Sequence, residues 1–347
     1  MSPKKLIMLS DGARPTEDIY LLEPVAGHGL DHDLSVSRIE ASRAVIMSWY
    51  QRHMLLKQYR GGTLVICRSL PVGWIRWLEH HRLAFSSIVY LIDDDIPAAV
   101  NDTTLPQAYR SRMKNVAEQQ PRLLALANEV VVCSEQLAKQ LMCQHEHVSV
   151  LTPPFIAKLP DLAHFRMPPS QSLPWQVGFY GTRSHLNDLM HIAPALNDLQ
   201  HCGITQLVIM LGKYTPGDLA VLPNVLTPEP LDWNAFRRFQ ARERLHIGLA
   251  PLLPTRFNAG KSFIKFLDIA AMGGVGIYSN RYPYTEVVRH GENGLLVGDT
   301  PDEWQAALQQ LLNNPEATAN MAQQAAIDAV RVGDPQHAVD FWQARQR

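Results

Sequence analysis

Runs of consecutive apolar residues recur along the chain, separated by stretches with helical spacing. Runs at 6–9, 63–67, 87–92, 129–133 and 148–151 predict five strands in the first half. Ser134-Glu135 follows the fourth and suits the start of a helix over 136–143. A second series begins at 175. It predicts strands at 175–180, 206–211, 225–227, 246–250, 276–279 and 294–297, with helices at 188–199, 231–242, 262–272, 285–290 and 301–313. Trp304, Leu308, Leu311 and Leu312 share one face of the last of these helices. Strands that are apolar throughout, alternating with helices, imply parallel sheets covered on both faces. Between the two series lie Pro153, Pro154, Pro160, Pro168, Pro169 and Pro174, which read as a linker. The expected organisation is a Rossmann-like domain at 1–155, a linker at 156–174, a second Rossmann-like domain at 175–325 and a helical tail at 326–347 that could pack back on the first domain. Two α/β domains facing a cleft make that cleft the expected site. No internal repeat or low-complexity tract interrupts the pattern.

Composition agrees with two packed cores: 46% of residues are apolar and 19% charged. The net charge of -1 lacks the basic surplus of a nucleic-acid binder. Cys67, Cys133, Cys143 and Cys202 form no C-x-x-C pair and lack zinc-ligand spacing, so they read as reduced thiols. Lys4-Lys5 before the apolar run 6–9 resembles a secretion signal, but Ser10-Asp11-Gly12 stops the run too early. No run approaches the ~20 apolar residues that span a bilayer. The expected location is cytoplasmic, with room for peripheral contact with the inner face of the cell membrane.

Candidate chemistry concentrates at 257–297. There Asn258-Ala259-Gly260 forms a loop after an apolar strand and is expected to open a helix at Lys261-Ser262. Free N–H groups at a helix start attract anions, and a lysine adds a point charge. Lys261 and Lys265 would lie one turn apart, with Asp268 near the same face. Phosphate beside a lysine and sugar hydroxyls beside a carboxylate suit an activated sugar; an amphipathic helix with solvated charges would look the same.

This stretch resembles the signature of retaining GT-B glycosyltransferases, most closely glycosyltransferase family 4. The resemblance rests on Asp268, on Ala270 to Gly273, on Val275 to Ser279, on Glu286 and on Asn293 to Val297. It implies a GT-B fold of two Rossmann-like domains, and a sugar transferred from a phosphate-bearing donor with retention. Asp268 would bind the nucleotide ribose and Lys265 the donor phosphates, while Tyr284 and Glu286 would line the same site. Two features depart from the family. Gly260 stands where the first of two glutamates is usual, and the second is an aspartate. The implied setting is bacterial surface polysaccharide such as O-antigen or capsule, with no metal. Alternatives are a non-nucleotide donor such as phosphoribosyl pyrophosphate, a non-catalytic glycan-binding subunit, and a sugar-nucleotide epimerase.

Several strand ends add candidates. Gly181, Thr182 and Arg183 follow a strand and suit a diphosphate, with Arg183 joining Lys265 and Asp268 as catalytic candidates. His185 could ligate, cap or pair with Asp188. Lys213 and Arg256 are further phosphate ligands in this reading. In the first half, Arg68, Ser69, Asp93, Asp94 and Asp95 end strands and would meet a glycan or lipid-linked acceptor, as would Ser134-Glu135. Three adjacent carboxylates need solvent, a cation or polar partners. The turn Gly27-His28-Gly29 is a loop that could present His28. Arg237, Arg238, Arg242 and Arg244, with Phe236 and Phe239, form either a solvated helix face or a contact with anionic lipid.

Overall fold

The computed structural model describes residues 5–28, 34–201 and 203–346. The first half builds six parallel strands: β1 (Lys5–Ser10), β2 (Ser35–Glu40), β3 (Thr63–Cys67), β4 (Ser87–Ile92), β5 (Glu129–Val132) and β6 (Val148–Val150). Their spatial order is β2-β1-β3-β4-β5-β6. The second half builds β7 (Trp175–Phe179), β8 (Thr205–Ile209), β9 (Val225–Leu226), β10 (Ile247–Ala250), β11 (Val275–Ser279) and β12 (Leu295–Val297), in the order β12-β11-β10-β7-β8-β9. Strand direction of growth reverses between β1 and β3 in one sheet and between β7 and β10 in the other. Ligands of open α/β sheets bind outside the carboxyl ends at such reversals.

Most of the apolar runs became central strands because burial on both faces demands it, and β3 is buried at every position; β6, β9 and β12 lie at sheet edges. β2 was not anticipated. Its sequence S-V-S-R-I-E alternates instead of running apolar, and it is an edge strand paired only with β1. The helix at 301–313 has the expected bounds, and Trp304, Leu308, Leu311 and Leu312 are all buried. Thr300 and Glu303 cap its start reciprocally. Gly27 and His28 do not form a turn: they end the helix Glu23–His28, while Gly29 lies outside the described residues. Cys67 and Cys133 are free and buried, Cys143 is free and exposed, and Cys202 lies outside the described residues.

The chain crosses between the halves twice. After Val332 the helix Pro335–Gln343 returns to the first sheet, where Ala338, Val339 and Trp342 join its core. Trp342 Nε1 donates to the Tyr20 carbonyl at 2.6 Å. The two crossings touch: Phe155 N donates to the Gly333 carbonyl at 2.6 Å. A Cβ at Gly333 would lie 2.7 Å from that same nitrogen, so only glycine permits the approach. Among the described residues no helix is long and apolar enough to cross a membrane.

Candidate active site

The rim of the first sheet is assembled by a strained residue. Arg68 follows β3 with φ of 60°, in the left-handed region that β-carbon sterics disfavour. Its N–H donates to the Leu91 carbonyl at 2.9 Å, and Tyr90 Oη donates to its carbonyl at 2.9 Å. That conformation aims the guanidinium at the carboxylate of Asp94 and within 3.5 Å of Asp93. The three aspartates then divide their tasks. Asp93 accepts from Thr16 Oγ1 at 2.6 Å, and Asp95 caps the helix Ile96–Asn101 through Ala98 N at 2.9 Å. Their repulsion is therefore met by separate polar partners. Among the described residues no cluster of His, Cys, Asp or Glu could hold a metal ion.

The rim of the second sheet is different. β7 ends at Tyr180-Gly181, and a 3₁₀ turn Arg183–His185 leads into the helix Leu186–His201. Buried Asp188 organises this corner. It accepts from His185 Nδ1 at 2.8 Å, from Leu253 N at 2.7 Å and from Asn258 Nδ2 at 3.0 Å. It thus ties the end of β7 to the loop after β10. At the end of β8, Gly212 has φ of 54°, and a Cβ there would sit 2.3 Å from the Glu229 carboxyl. Beyond it, Tyr214 receives two cations: the Arg183 guanidinium 3.6 Å from the ring centroid and Lys213 Nζ at 5.4 Å. Among the described residues neither side chain has an ion pair with a carboxylate.

The two rims meet through the loop after β10. Arg256–Ala259 is a single helical turn capped by Thr255, and the next helix is Ile264–Ala271. Lys261 and Ser262 thus lie before that helix, not in it, and Lys261 does not share a face with Lys265. The reason is visible in the contacts: Lys261 Nζ reaches across to Asp94 Oδ1 at 2.6 Å. Ser134 Oγ caps its own helix and donates to the Gly260 carbonyl at 2.8 Å. Tyr20 Oη donates to Ser262 Oγ at 3.4 Å, and Arg256 Nε lies 3.3 Å from Asp95 Oδ2. Burial alone would raise Asp94; Lys261 and Arg68 overcome it and hold its carboxyl well below the usual carboxylate range. Asp94 in turn raises Lys261 against the opposing effect of burial. Both groups are charged, and both are committed to each other.

Lys265 donates to the Tyr180 carbonyl and pairs with Asp268 at 3.2 Å; Asp268 also accepts from Gln240 Nε2 at 2.9 Å. Tyr284 is buried against Tyr278, with ring centroids 4.9 Å apart, whereas Glu286 is exposed. The arginine cluster is dispersed. Arg237 donates to the Ile156 carbonyl and Arg244 to the carbonyls of its own helix end, leaving Arg238 and Arg242 exposed. A cavity of 590 Å³ opens at the β1–β3 reversal, lined by Asp11, Arg14, Arg43, Ser69 and Arg112 among others. Arg14 pairs with Asp11 and lies 3.3 Å from Ser69 Oγ. Sequence reasoning missed Arg14 and Tyr214. The polar stretch Ser10 to Arg14 after an apolar run, and an aromatic residue next to Lys213, were the available signals.

Chains of known structure share this fold across both halves. Sucrose-phosphate synthase from Thermosynechococcus elongatus superposes with a TM-score of 0.66 at 12% identity over 98% of each chain. Anabaena HepE in complex with UDP-glucose does so with 0.61 at 14% identity over 98% of this chain and 99% of that one. The fold is GT-B. A third GT-B structure, an alpha-glucosyltransferase in complex with UDP-glucose and DNA containing an abasic site, gives 0.60 at 12% identity over 99% and 98%. A family model described as glycosyl transferases group 1 matches residues 264–328, the helix Ile264–Ala271 through most of Pro315–Val332. No curated protein sequence matches the chain. In this GT-B chain the cations on Tyr214 and the Lys265–Asp268 pair belong to the second domain, and the aspartate-rich rim belongs to the first.

Proposed function

We propose that the protein is a glycosyltransferase that moves a sugar from a nucleotide-sugar donor to a glycan or lipid-linked acceptor. The observation that carries this reading is the pair Arg183 and Lys213 on Tyr214. Two cations meet at the carboxyl ends of neighbouring strands, near Gly181, with no side-chain ion pair among the described residues; the nearby Glu229 carboxylate is turned to the backbone N–H of Lys213, at 3.4 Å. An anion with two charges, such as a diphosphate, answers that arrangement. Two of the GT-B neighbours are in complex with UDP-glucose, which supports a nucleotide sugar.

In this reading the leaving diphosphate lies on Arg183, Lys213 and the backbone at Gly181–Thr182. Lys265 gives up the Tyr180 carbonyl for a phosphate oxygen, and Asp268 takes the ribose hydroxyls. The bond from the anomeric carbon to the diphosphate breaks, and the cations stabilise the charge that grows there. The acceptor hydroxyl forms the new bond on the same face, and its proton passes to the leaving phosphate. The cavity of 590 Å³ at the β1–β3 reversal admits the acceptor between Arg14, Ser69 and Arg112. Retention, a hexose or pentose as the transferred group, an acceptor in bacterial surface polysaccharide and a cytoplasmic site of action all belong to this proposal. No metal is required, since side-chain cations carry the charge neutralisation.

Thermal-shift titration with UDP, other nucleoside diphosphates, UDP-sugars and phosphoribosyl pyrophosphate tests the donor class. Stabilisation by a nucleoside diphosphate, lost in Arg183→Ala, is the expected result. A response to phosphoribosyl pyrophosphate alone would replace the nucleotide sugar, and a response to none would remove the donor site.

A further inference from the structure

The first turns of the helix Val45–Tyr59, which follows β2, are built inside out. The inward face of the helix carries Ser48, Gln51, Arg52 and Leu55, spaced at the helical repeat. Gln51 accepts from Ser42 N at 3.0 Å and donates to the Glu40 carbonyl at 2.8 Å. Arg52 lies 5.1 Å from the Trp74 ring centroid. Gln51 and Arg52 thus anchor the start of the helix to the domain, and Leu55, Leu56 and Tyr59 pack its last turns on the core. The opposite face carries Val45, Ile46, Trp49 and Tyr50, with Met47 at its margin. Val45 is 83% exposed, Ile46 85% and Trp49 67%. Five large apolar side chains in contact with water on two turns of one helix are a contiguous patch, not scattered exposure.

Charge says what covers this patch. Between Glu40 and Glu79, which is paired with Arg122, the sequence contains no Asp or Glu, whereas it contains Arg43, Arg52, Lys57, Arg60 and Arg76 besides the paired Arg68. Arg43, Lys57, Arg60 and Arg76 are exposed. The chain as a whole has a net charge of -1, so this is a local concentration. A second copy of the chain would bring the same basic face against itself and be repelled. An anionic bilayer surface satisfies both features. Its acyl boundary takes Ile46 and Val45, its headgroup layer takes Trp49 and Tyr50, and its negative potential takes the arginines and lysine.

We propose that the exposed face of Val45–Tyr59 docks the protein on an anionic membrane surface. Arg43, just before the helix, also lines the cavity at the β1–β3 reversal. Docking therefore sets the mouth of that cavity beside the headgroups. A lipid-linked acceptor could then enter without leaving the bilayer, a use that rests on the transferase reading although the docking itself does not.

The experiment is flotation of the full chain with vesicles, without donor or acceptor. Vesicles of phosphatidylcholine with about one third phosphatidylglycerol are compared with phosphatidylcholine alone. Wild type should partition onto the anionic vesicles at least about tenfold more strongly, and high salt should weaken it. The variant Ile46→Ser/Trp49→Ser should lose about tenfold or more of that binding with an unchanged thermal midpoint, since both side chains face water. Wild type that stays in solution, or a double variant that binds as well as wild type, overturns the proposal. Light scattering without vesicles gives a further outcome. A wild-type dimer that the double variant converts to monomer would also overturn it, by assigning the face to a second copy. None of these readouts involves sugar transfer, so a failed docking and a failed donor site are told apart.

Discussion

The two rims that face each other across the cleft solve opposite problems. The first gathers carboxylates and gives every one a partner: Thr16 and Arg68 for Asp93, Arg68 and Lys261 for Asp94, Ala98 N and Arg256 for Asp95. The second gathers cations and leaves two of them, Arg183 and Lys213, with only an aromatic ring. The difference teaches where to look for a ligand. The buried charges of the first rim are committed to one another and hold the architecture together, whereas Arg183 and Lys213 are exposed and held only over a ring, which leaves them open to a counter-ion. By that criterion Lys261 belongs to the architecture although it stands in the middle of the donor-side loop.

The comparison can be broken by moving charge from one rim to the other. Lys261→Met strips buried Asp94 of a partner and should cost about 4 kcal/mol in urea unfolding, because breaking a buried pair leaves an uncompensated charge. The double variant Lys261→Met/Asp94→Asn should recover most of it; an unaffected single variant would mean that the first rim does not need the contact. Acid should separate the two domains. Burial lowers His246 from 6.5 to about 4, where it receives Gln176 N on Nδ1 and donates from Nε2 to the His164 carbonyl. The unfolded chain takes up that proton below 6.5 and the folded one does not. The contribution is whole above pH 6.5 and declines as pH falls towards 4, by up to about 3 kcal/mol. Asp94 has the depressed value of a paired carboxylate, so its contact persists until pH falls below the ordinary carboxylate range. Melting followed at falling pH should show the second domain weakening first.

Arg183→Ala should reduce transfer about a hundredfold, the scale for one lost charge-stabilising donor, with stability intact. Stability that falls with activity would return Arg183 to the architecture. Gly260→Ala should be the mildest change, within about 0.5 kcal/mol. Its Cβ would lie 3.4 Å from that of Asp95, an ordinary contact.

Much of this was legible in the sequence because central parallel strands and amphipathic helices leave strong local marks. Trp304 to Leu312 and the run Ser87–Ile92 could be placed without knowing what packs on them. β2 could not, since its S-V-S-R-I-E alternates polar and apolar residues, whereas the edge strands β6 and β12 keep short apolar runs. The site divides the same way. Gly181 to His185 and the three aspartates sit at strand ends, which the pattern locates. The assignment of Lys261 to a donor depended on a helix beginning at Lys261. The helix begins at Ile264, and the partner that draws Lys261 away lies 167 positions earlier. Spacing along a chain carries no information about such a partner.

The contact between Phe155 and Gly333 has a mechanical consequence. Two covalent connections that run between rigid bodies at separate places would lock their relative orientation. Here they leave side by side, bonded to one another, and so behave as a single pivot. Rotation about it would carry the rims farthest, so the contacts that join them, Lys261 with Asp94 and Ser134 with the Gly260 carbonyl, sit where they resist it most. A bulkier residue at 333 would wedge the pivot itself and change the arc through which both halves swing.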